Sequence, residues 1–133
     1  MKMVTFQIDQ ERYALPVEVV SSIERVPLLR PIPMAPAHVI GLINLRGVVM
    51  TVVDVRKLLE MPLKAMGEDT RLLVIGDIAY LVDAADDVQE MDETQLEMPQ
   101  GEGKLMQGVW HMGDQLVMVL RPEMLREMMM PTK

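Results

Sequence analysis

The stretch that most constrains the fold runs from Ile40 to Leu59, with the sequence IGLINLRGVVMTVVDVRKLL. It contains two apolar runs, GLINL and VVMTVVDV, which are separated by Arg46-Gly47. The second run is rich in β-branched residues and is too short before Asp54 to form a buried helix, so two strands are favoured. Gly47 supplies a residue that adopts a positive φ at little cost, as a tight hairpin requires. The stretch therefore predicts a β-hairpin.

The residues after this hairpin predict a short helix. Asp54 closes the second strand and can N-cap the run from Val55 to Met61, which Pro62 ends. The stretch contains no combination of side chains that indicates catalysis. Of its polar side chains, Arg46 at the turn is the one that we expect a partner to reach.

Composition limits the possible functions. The 133 residues suggest one domain, and a hydrophobic content of 50% is typical of a globular protein. The net charge of −7 argues against nucleic acid and anionic membranes as partners. The absence of cysteine excludes disulfides, thiolate catalysis and Cys-based metal sites. No leader pattern and no apolar run of bilayer length is present, so we expect a soluble, cytoplasmic protein.

Methionine is unusually abundant, with 15 residues, whereas the aromatic side chains are only Phe6, Tyr13, Tyr80 and Trp110. Methionine fills irregular gaps in a core that contains few aromatic rings. It also forms adaptable binding surfaces, and the sequence leaves both interpretations open.

Three further hairpins are predicted, because pairs of apolar runs flank polar or Gly-Asp turns. They are Val4 to Ile8 with Tyr13 to Leu15, Arg71 to Ile75 with Ile78 to Asp83, and Leu105 to Met112 with Gln115 to Leu120. Val88 to Met91 predicts one more strand.

The remaining segments predict short helices and connections. A weak helix is expected from Pro16 to Arg25, with Val20 and Ile23 on its apolar face. Val26 to Pro36 contains four of the nine prolines and predicts an extended connection.

Toward the end of the chain, acidic residues with proline and glycine predict a long exposed loop from Asp92 to Lys104. Pro122 can occupy the first turn of a terminal helix that ends near Met129.

An internal similarity suggests two half-units. VVMTVVDVRKLLEM, from Val48 to Met61, is similar to QLVMVLRPEMLREM, from Gln115 to Met128, and each predicts a strand followed by a short helix. About nine or ten short strands with tight turns favour small barrels or a sandwich over a βαβ fold. Two barrels of about five strands each, with a boundary near residues 62–70 that strands can cross, account for both features.

Motifs along nearly the whole chain carry a family resemblance. In chain order they are F-x-I-x-x-x-x-Y-A-L-P-V from Phe6, V-x-x-I from Val20, GLINLRG from Gly41, VVDVR from Val52, LVD from Leu81 and G-x-x-x-x-G-D-x-L-V-M-V-L from Gly108. Together they resemble the CheW domain of bacterial chemotaxis coupling proteins and of the CheA histidine kinase. GLINLRG with its downstream D-x-R is the most specific part.

The resemblance implies a single CheW-like domain over residues 1–133. The implied fold is mostly β, with two small five-stranded SH3-like barrels side by side and short helices, including a C-terminal helix. The implied function is that of a non-enzymatic adaptor, without cofactor or metal. It couples chemoreceptor cytoplasmic tips to the regulatory domain of a CheA-type histidine kinase, in an array at the inner face of the membrane. A CheW-like scaffold in a related pathway, such as surface motility, is the alternative within this class.

The resemblance also implies partner contacts at Val20, Gly41 and Arg46. Four neighbouring residues complete the candidate partner-binding set: Ile23, Asn44, Leu45 and Gly47. Simpler structural roles stay open, since Arg46 can be an ordinary turn residue, Asn44 can satisfy the turn backbone, and Val20 with Ile23 can belong to the core.

Two positions depart from the family pattern. Ser22 stands where many members carry an acidic residue, which leaves receptor specificity open. Arg121 stands where many carry aspartate, which weakens the N-cap of the last helix, although Pro122 and Glu123 compensate in part.

An enzyme or a small-ligand-binding barrel that uses the cleft between the half-units is the alternative from another class. It would require paired carboxylates, a histidine base or a set of metal ligands. His38 and His111 have no metal-ligand spacing, and Asp86-Asp87 lacks the glycine and spacing of a calcium loop. The sequence therefore offers no identifiable catalytic or metal site.

Overall fold

The computed structural model describes residues 1–98 and 106–129, and within them the chain forms eleven strands and two short α-helices. The strands are β1 (Lys2–Ile8), β2 (Glu11–Pro16), β3 (Ser22–Glu24), β4 (Val39–Leu45), β5 (Val48–Asp54), β6 (Arg71–Ile75), β7 (Ile78–Val82), β8 (Ala84–Glu90), β9 (Leu96–Glu97), β10 (Met106–Met112) and β11 (Gln115–Leu120). The helices are α1 (Val55–Leu58) and α2 (Pro122–Glu127). Single 3₁₀ turns lie at Val17–Val19 and Glu93–Gln95.

The strands form two sheets. The first has the order β8-β1-β2-β11-β10-β9, and the second has the order β3-β6-β7-β5-β4. Neighbouring strands are antiparallel except for β2 with β11 and β5 with β7. The predicted fold class, mostly β in two small units with short helices, is confirmed. The first sheet has six strands because the two-residue β9 pairs with the edge of β10.

The first sheet is assembled from both ends of the chain. The hairpin β1-β2 lies in the first sheet, but the chain then enters the second sheet at β3 and stays there through β7. It returns to the first sheet at β8, which pairs with β1. Residues 62–70, where a boundary between barrels was predicted, connect β5 to β6 within the second sheet. The second sheet therefore consists of one continuous part of the chain, whereas the first sheet is built from its two ends.

The internal similarity corresponds to equivalent positions in the two sheets. Strand β5 precedes α1 and pairs in parallel with β7, the second strand of the hairpin β6-β7. Strand β11 precedes α2 and pairs in parallel with β2, the second strand of the hairpin β1-β2. Each half of the chain thus contributes a hairpin to one sheet and a strand-helix unit to the other.

The core lies in three layers, because several strands bury both faces. On β1, Val4, Phe6 and Ile8 face a central cluster between the sheets, whereas Met3 packs on the other face with Trp110. The central strands of the second sheet alternate in the same way between the central cluster and a separate cluster inside that sheet. Burial on both faces explains why these strands are apolar runs rather than alternating patterns.

Methionine occurs both in the core and on the surface. Met3, Met50 and Met91 are buried in the core. Met34, Met66 and Met98 have exposed side chains.

The helix predicted from Pro16 to Arg25 is wrong. Only Val17–Val19 form a helical turn, and Ser22–Glu24 form β3. Strand pairing replaces the helix here, since β3 pairs with β6 and the Ser21 N–H donates to the Val74 carbonyl oxygen at 2.8 Å. Because β-branched residues have a low helix propensity, the segment loses little helix stability when it forms a strand instead.

The acidic loop predicted from Asp92 to Lys104 is only partly correct. Asp92 caps the 3₁₀ turn with a capping box, and β9 follows the turn directly. The rest of this loop, from 99 to 104, lies outside the described residues, and so does Leu105, where the next strand was predicted to start. The predicted strand from Val88 to Met91 is in fact longer, Ala84–Glu90, because it pairs along β1. The proline-rich segment from Val26 to Pro36 has no regular helix or strand, as predicted, but it turns at Pro33-Met34, where Met34 has φ 60°.

Candidate functional site

The turn between β4 and β5 has the backbone that the sequence predicted. Gly47 has φ 89°, and Arg46 before it has φ 50°, so both turn residues adopt positive φ. The Asn44 side-chain oxygen accepts a hydrogen bond from the Gly47 N–H at 2.8 Å. The structural role predicted for Asn44, and the positive φ predicted for Gly47, are therefore confirmed.

The Arg46 side chain is exposed but not unpaired. Its Nη1 and Nη2 atoms donate to the two carboxylate oxygens of Glu24 at 3.1 and 2.7 Å. The Arg46 side chain is 69% exposed, whereas that of Glu24 is only 17% exposed. The pair connects β3 to the β4-β5 turn, which lie at opposite edges of the second sheet. Bidentate pairing presents the guanidinium in one orientation.

Glu24 is a residue that sequence reasoning missed. The hydrogen bond from Arg46, followed by that from Ser22, lowers the pKa of the Glu24 carboxyl below its usual value. The pair is separated by 22 residues, and no periodicity relates positions that far apart. Ser22, which departs from the family pattern, supports this carboxylate in the present chain.

The other candidate residues differ in how deeply their side chains are buried. Ile23 is exposed on β3, but its side chain lies on the opposite face of the strand from that of Glu24. Its pairing partner Leu73 packs in the central cluster, whereas Leu72, the partner of Glu24, packs in the cluster inside the second sheet. Val20 is partly buried against the central cluster, as its structural interpretation predicted. Leu45 is partly buried and packs against the cluster inside the second sheet.

Gly41 is buried at a β-bulge between β4 and β5 and has φ 153°. A Cβ atom at this position would lie 2.4 Å from the Arg30 carbonyl oxygen. Arg30 and Leu42 exchange two backbone hydrogen bonds of 2.8 and 2.7 Å next to this contact. Gly41 therefore holds the proline-rich segment against β4 and presents no side chain to a partner.

Arg56 forms a buried ionic network that the sequence analysis did not assign. Its Nε and Nη2 atoms donate to the Asp83 carboxylate at 2.9 and 2.6 Å, and Nη2 also contacts the Asp9 carboxylate. Its Nη1 atom donates to the Pro62 carbonyl oxygen at 2.9 Å. The Arg56 side chain is only 6% exposed. These contacts join α1, the β1-β2 turn and the crossing from β7 to β8.

The D-x-R and LVD motifs are thus structural. Asp54 accepts from the Arg56 N–H and caps α1, as predicted. Burial raises the pKa of the Asp54 carboxyl, although this hydrogen bond acts in the opposite direction. Burial also acts to raise the pKa of Asp83, but the hydrogen bonds and charge of Arg56 outweigh it, so the pKa of Asp83 is lowered.

The lowered pKa of Asp83 predicts an acid-sensitive fold. A carboxyl whose pKa is lower in the folded than in the unfolded state contributes stability that is present above the unfolded pKa, about 3.9. This contribution is lost as the pH falls through the folded pKa. We expect the wild type to lose stability below about pH 4 and Asp83→Asn to lose less over that range. Urea unfolding at several pH values measures both slopes, and equal slopes would contradict this assignment.

The described residues contain no group of three or more His, Asp or Glu side chains that could hold a metal ion. His111 instead contacts the Glu97 carboxylate at 2.7 Å between β10 and β9. In the same part of the chain, no helix is long and apolar enough to cross a membrane.

Comparisons with known proteins identify the family. The model of the CheW-like domain matches residues 2–128. The chemotaxis protein CheW of Bacillus subtilis (strain 168) is 35% identical over 105 residues, which cover 75% of this chain and 67% of that protein. The chemotaxis protein CheW of Helicobacter pylori (strain ATCC 700392 / 26695) is 27% identical over 131 residues, covering 92% of this chain and 79% of that protein.

A solved structure supports the fold. The crystal structure of the scaffolding protein TtCheW from Thermoanaerobacter tengcongensis superposes with a TM-score of 0.82. It is 24% identical and covers 90% of this chain and 88% of that one. The chain belongs to the CheW-like domain family. It is a non-enzymatic adaptor of chemotaxis signalling.

Proposed function

We propose that this protein couples the cytoplasmic tips of chemoreceptors to the regulatory domain of a CheA-type histidine kinase. Membership of the CheW-like family and the relatives named as chemotaxis proteins support this pairing of partners. The adaptor acts in the cytoplasm and is recruited to receptor arrays at the inner face of the membrane. It binds no nucleic acid, in keeping with its net charge of −7.

The observation that carries the proposal is the exposed, oriented arginine at the β4-β5 turn. Together with its carboxylate partner and the next exposed apolar residue, we call it the hairpin surface: Glu24, Arg46 and Val48. Val48, two residues after Arg46, has an exposed apolar side chain at 58%, and Ile23 is 38% exposed on the other face of β3. An oriented arginine beside an exposed apolar side chain is typical of an interface anchor. We assign direct contact to Arg46.

The remaining candidate residues support this surface indirectly. Asn44 and Gly47 shape the turn, and Gly41 holds the segment beside β4. An adaptor that exchanges contacts during signalling suits small interfaces, below about 1,200 Å², of micromolar strength. Few side chains then dominate the affinity.

Replacing Arg46 with alanine is expected to weaken binding to the kinase regulatory domain or to the receptor tip by about tenfold. The fold should be nearly unaffected, because the side chain is exposed. Titration calorimetry against each partner, together with thermal melts, measures both quantities.

Arg126→Ala is the matched control. Arg126 is also exposed and pairs with an exposed carboxylate, Asp77, at 2.8 Å, but it lies on α2. It should bind both partners like the wild type. If Arg46→Ala also binds both partners like the wild type, the turn has no role in partner recognition.

The pathway is a separate question from the partners. Deletion of the gene should abolish directed swimming if the receptors serve swimming chemotaxis. Loss of surface spreading alone, with intact directed swimming, would instead place the adaptor in a surface-motility pathway.

A further inference from the structure

A continuous part of this acidic chain carries only positive charge. Residues 25–53 contain three arginines, at positions 25, 30 and 46, and no Asp or Glu. Because the whole chain has a net charge of −7, the remainder carries −10. The segment includes the proline-rich connection and the hairpin β4-β5 up to Val53, so the edge strand β4 and its turn carry no acidic side chain.

A groove lies along this edge. Its walls are the proline-rich segment on one side and β4-β5 on the other, and its volume is about 390 Å³. We call it the β4 groove, and the residues that we use to define it are Pro27, Leu28, Arg30, Leu42, Asn44 and Val49. Leu28 and Val49 are 76% and 64% exposed, so the groove presents apolar side chains to solvent.

The groove opens where the backbone pairing ends. Arg30 is hydrogen-bonded to Leu42, and an antiparallel continuation would place Leu28 opposite Asn44. No ladder is formed there, and the two segments separate instead. By the alternation of a strand, the Asn44 backbone faces the same edge as that of Leu42 and is available to a binding partner.

The arginines of this region differ in whether they form a salt bridge. Arg46 is held by Glu24, whereas neither Arg25 nor Arg30 forms a salt bridge with any residue in the described parts of the chain. Both side chains are exposed, and both line grooves that share Leu28. Glu68 also lines the groove of Arg25, whereas the groove of Arg30 has no acidic residue, so Arg30 is the better placed of the two to pair with a carboxylate of a partner.

We propose that the β4 groove binds an acidic amphipathic polypeptide segment of a partner. An apolar side chain of that segment packs between Leu28 and Val49, and flanking carboxylates pair with Arg30 and Arg25. This inference rests on the proposed function, since the segment belongs to the kinase domain or to the receptor tip. A nucleic acid fits poorly, because the charge of −10 on the rest of the chain repels a polyanion longer than the groove.

The groove also gives the buried Gly41 a function. Its missing side chain lets the Arg30 carbonyl approach β4, and this approach sets the position of Leu28 and Arg30. Gly41 is therefore a positioning residue for the groove and contacts no partner itself.

The test uses two groove variants, Arg30→Glu and Leu28→Ser, both at exposed positions. The matched controls are Arg121→Glu and Leu116→Ser, exposed residues at and beside β11 in the first sheet. Binding to the kinase regulatory domain and to the receptor tip is titrated at about 0.05 and about 0.3 M salt. Thermal melts verify that each variant is folded, and sedimentation measures self-association.

We expect Arg30→Glu to weaken one partner at least tenfold at low salt and to reduce the salt dependence of its binding. Leu28→Ser should weaken the same partner about fivefold at both salt concentrations, because it removes an apolar contact. Both controls should bind like the wild type.

Several results would overturn the proposal. If both groove variants bind like the wild type while Arg46→Ala is weakened, the groove is not used and the adaptor function stands. If the wild type binds neither partner, the proposed partners and the groove proposal both fail. If the groove variants change only self-association, the occupant is a second copy of this chain rather than an acidic segment of another protein.

Discussion

Arg56→Ala is expected to lower the free energy of unfolding by about 3–5 kcal/mol, the range found when one partner of a buried ion pair is removed. The Arg56 side chain is 6% exposed, and its main partner Asp83 is 13% exposed. Removal of the guanidinium leaves the Asp83 carboxylate without its strongest donors and leaves the Pro62 carbonyl without its arginine donor. Urea unfolding of both proteins at neutral pH measures the difference.

Two substitutions separate the network from a general effect of mutating α1. Lys57→Ala removes an exposed charge from the next residue of the same helix and should change stability by less than about 0.5 kcal/mol. Arg56→Lys keeps the charge but cannot form the bidentate pair, so it should lie between alanine and the wild type. A loss below about 1 kcal/mol for Arg56→Ala would show that the network contributes little to stability.

Gly41→Ala should be nearly as disruptive, with a loss of about 3 kcal/mol, which combines backbone strain with overpacking. Its φ of 153° is one that residues with a Cβ rarely adopt. The added Cβ would also meet the Arg30 carbonyl oxygen at 2.4 Å, and this neighbour is backbone rather than a flexible side chain. Relief of the contact requires the proline-rich segment to move away from β4.

Gly76→Ala is the control for the backbone term alone. Gly76 has φ 63° in the β6-β7 turn, and a Cβ there would have no neighbour within 4 Å. We expect a loss of about 1 kcal/mol for this variant, measured by the same urea unfolding. If the two glycine variants are equally stable, the contact with Arg30 places no constraint on the second sheet.

The sequence indicated a role for Gly41 but none for Arg56. Gly41 was a candidate because of the GLINLRG motif, but its steric role depends on Arg30, which the chain brings close only through the proline-rich segment. Arg56 belonged to a recognised motif without an assigned role. Its partner Asp83 is 27 residues away, and no local pattern pairs the two.

Turn and cap chemistry could be predicted from sequence because it depends on neighbouring residues. The positive φ of Gly47, the cap formed by Asp54 and the start of α2 at Pro122 are all local effects of one side chain on its own backbone. The hairpins could be predicted for the same reason, because each depends on the residues of its own turn. The helix expected across Ile23 failed because its competitor was β6, more than forty residues away in the chain.

The sequence by itself therefore determined the hairpins, the caps, the two similar half-units and the family. The tertiary structure alone decided which strands pair across the two halves, since it places β3 beside β6 and β8 beside β1. It also decided that Arg46 is oriented by Glu24 and that Arg30 lies beside an apolar groove, without a salt bridge to any described residue. These contacts join residues that are far apart in the sequence, and no local sequence pattern relates such residues. They can therefore be read only from the tertiary structure.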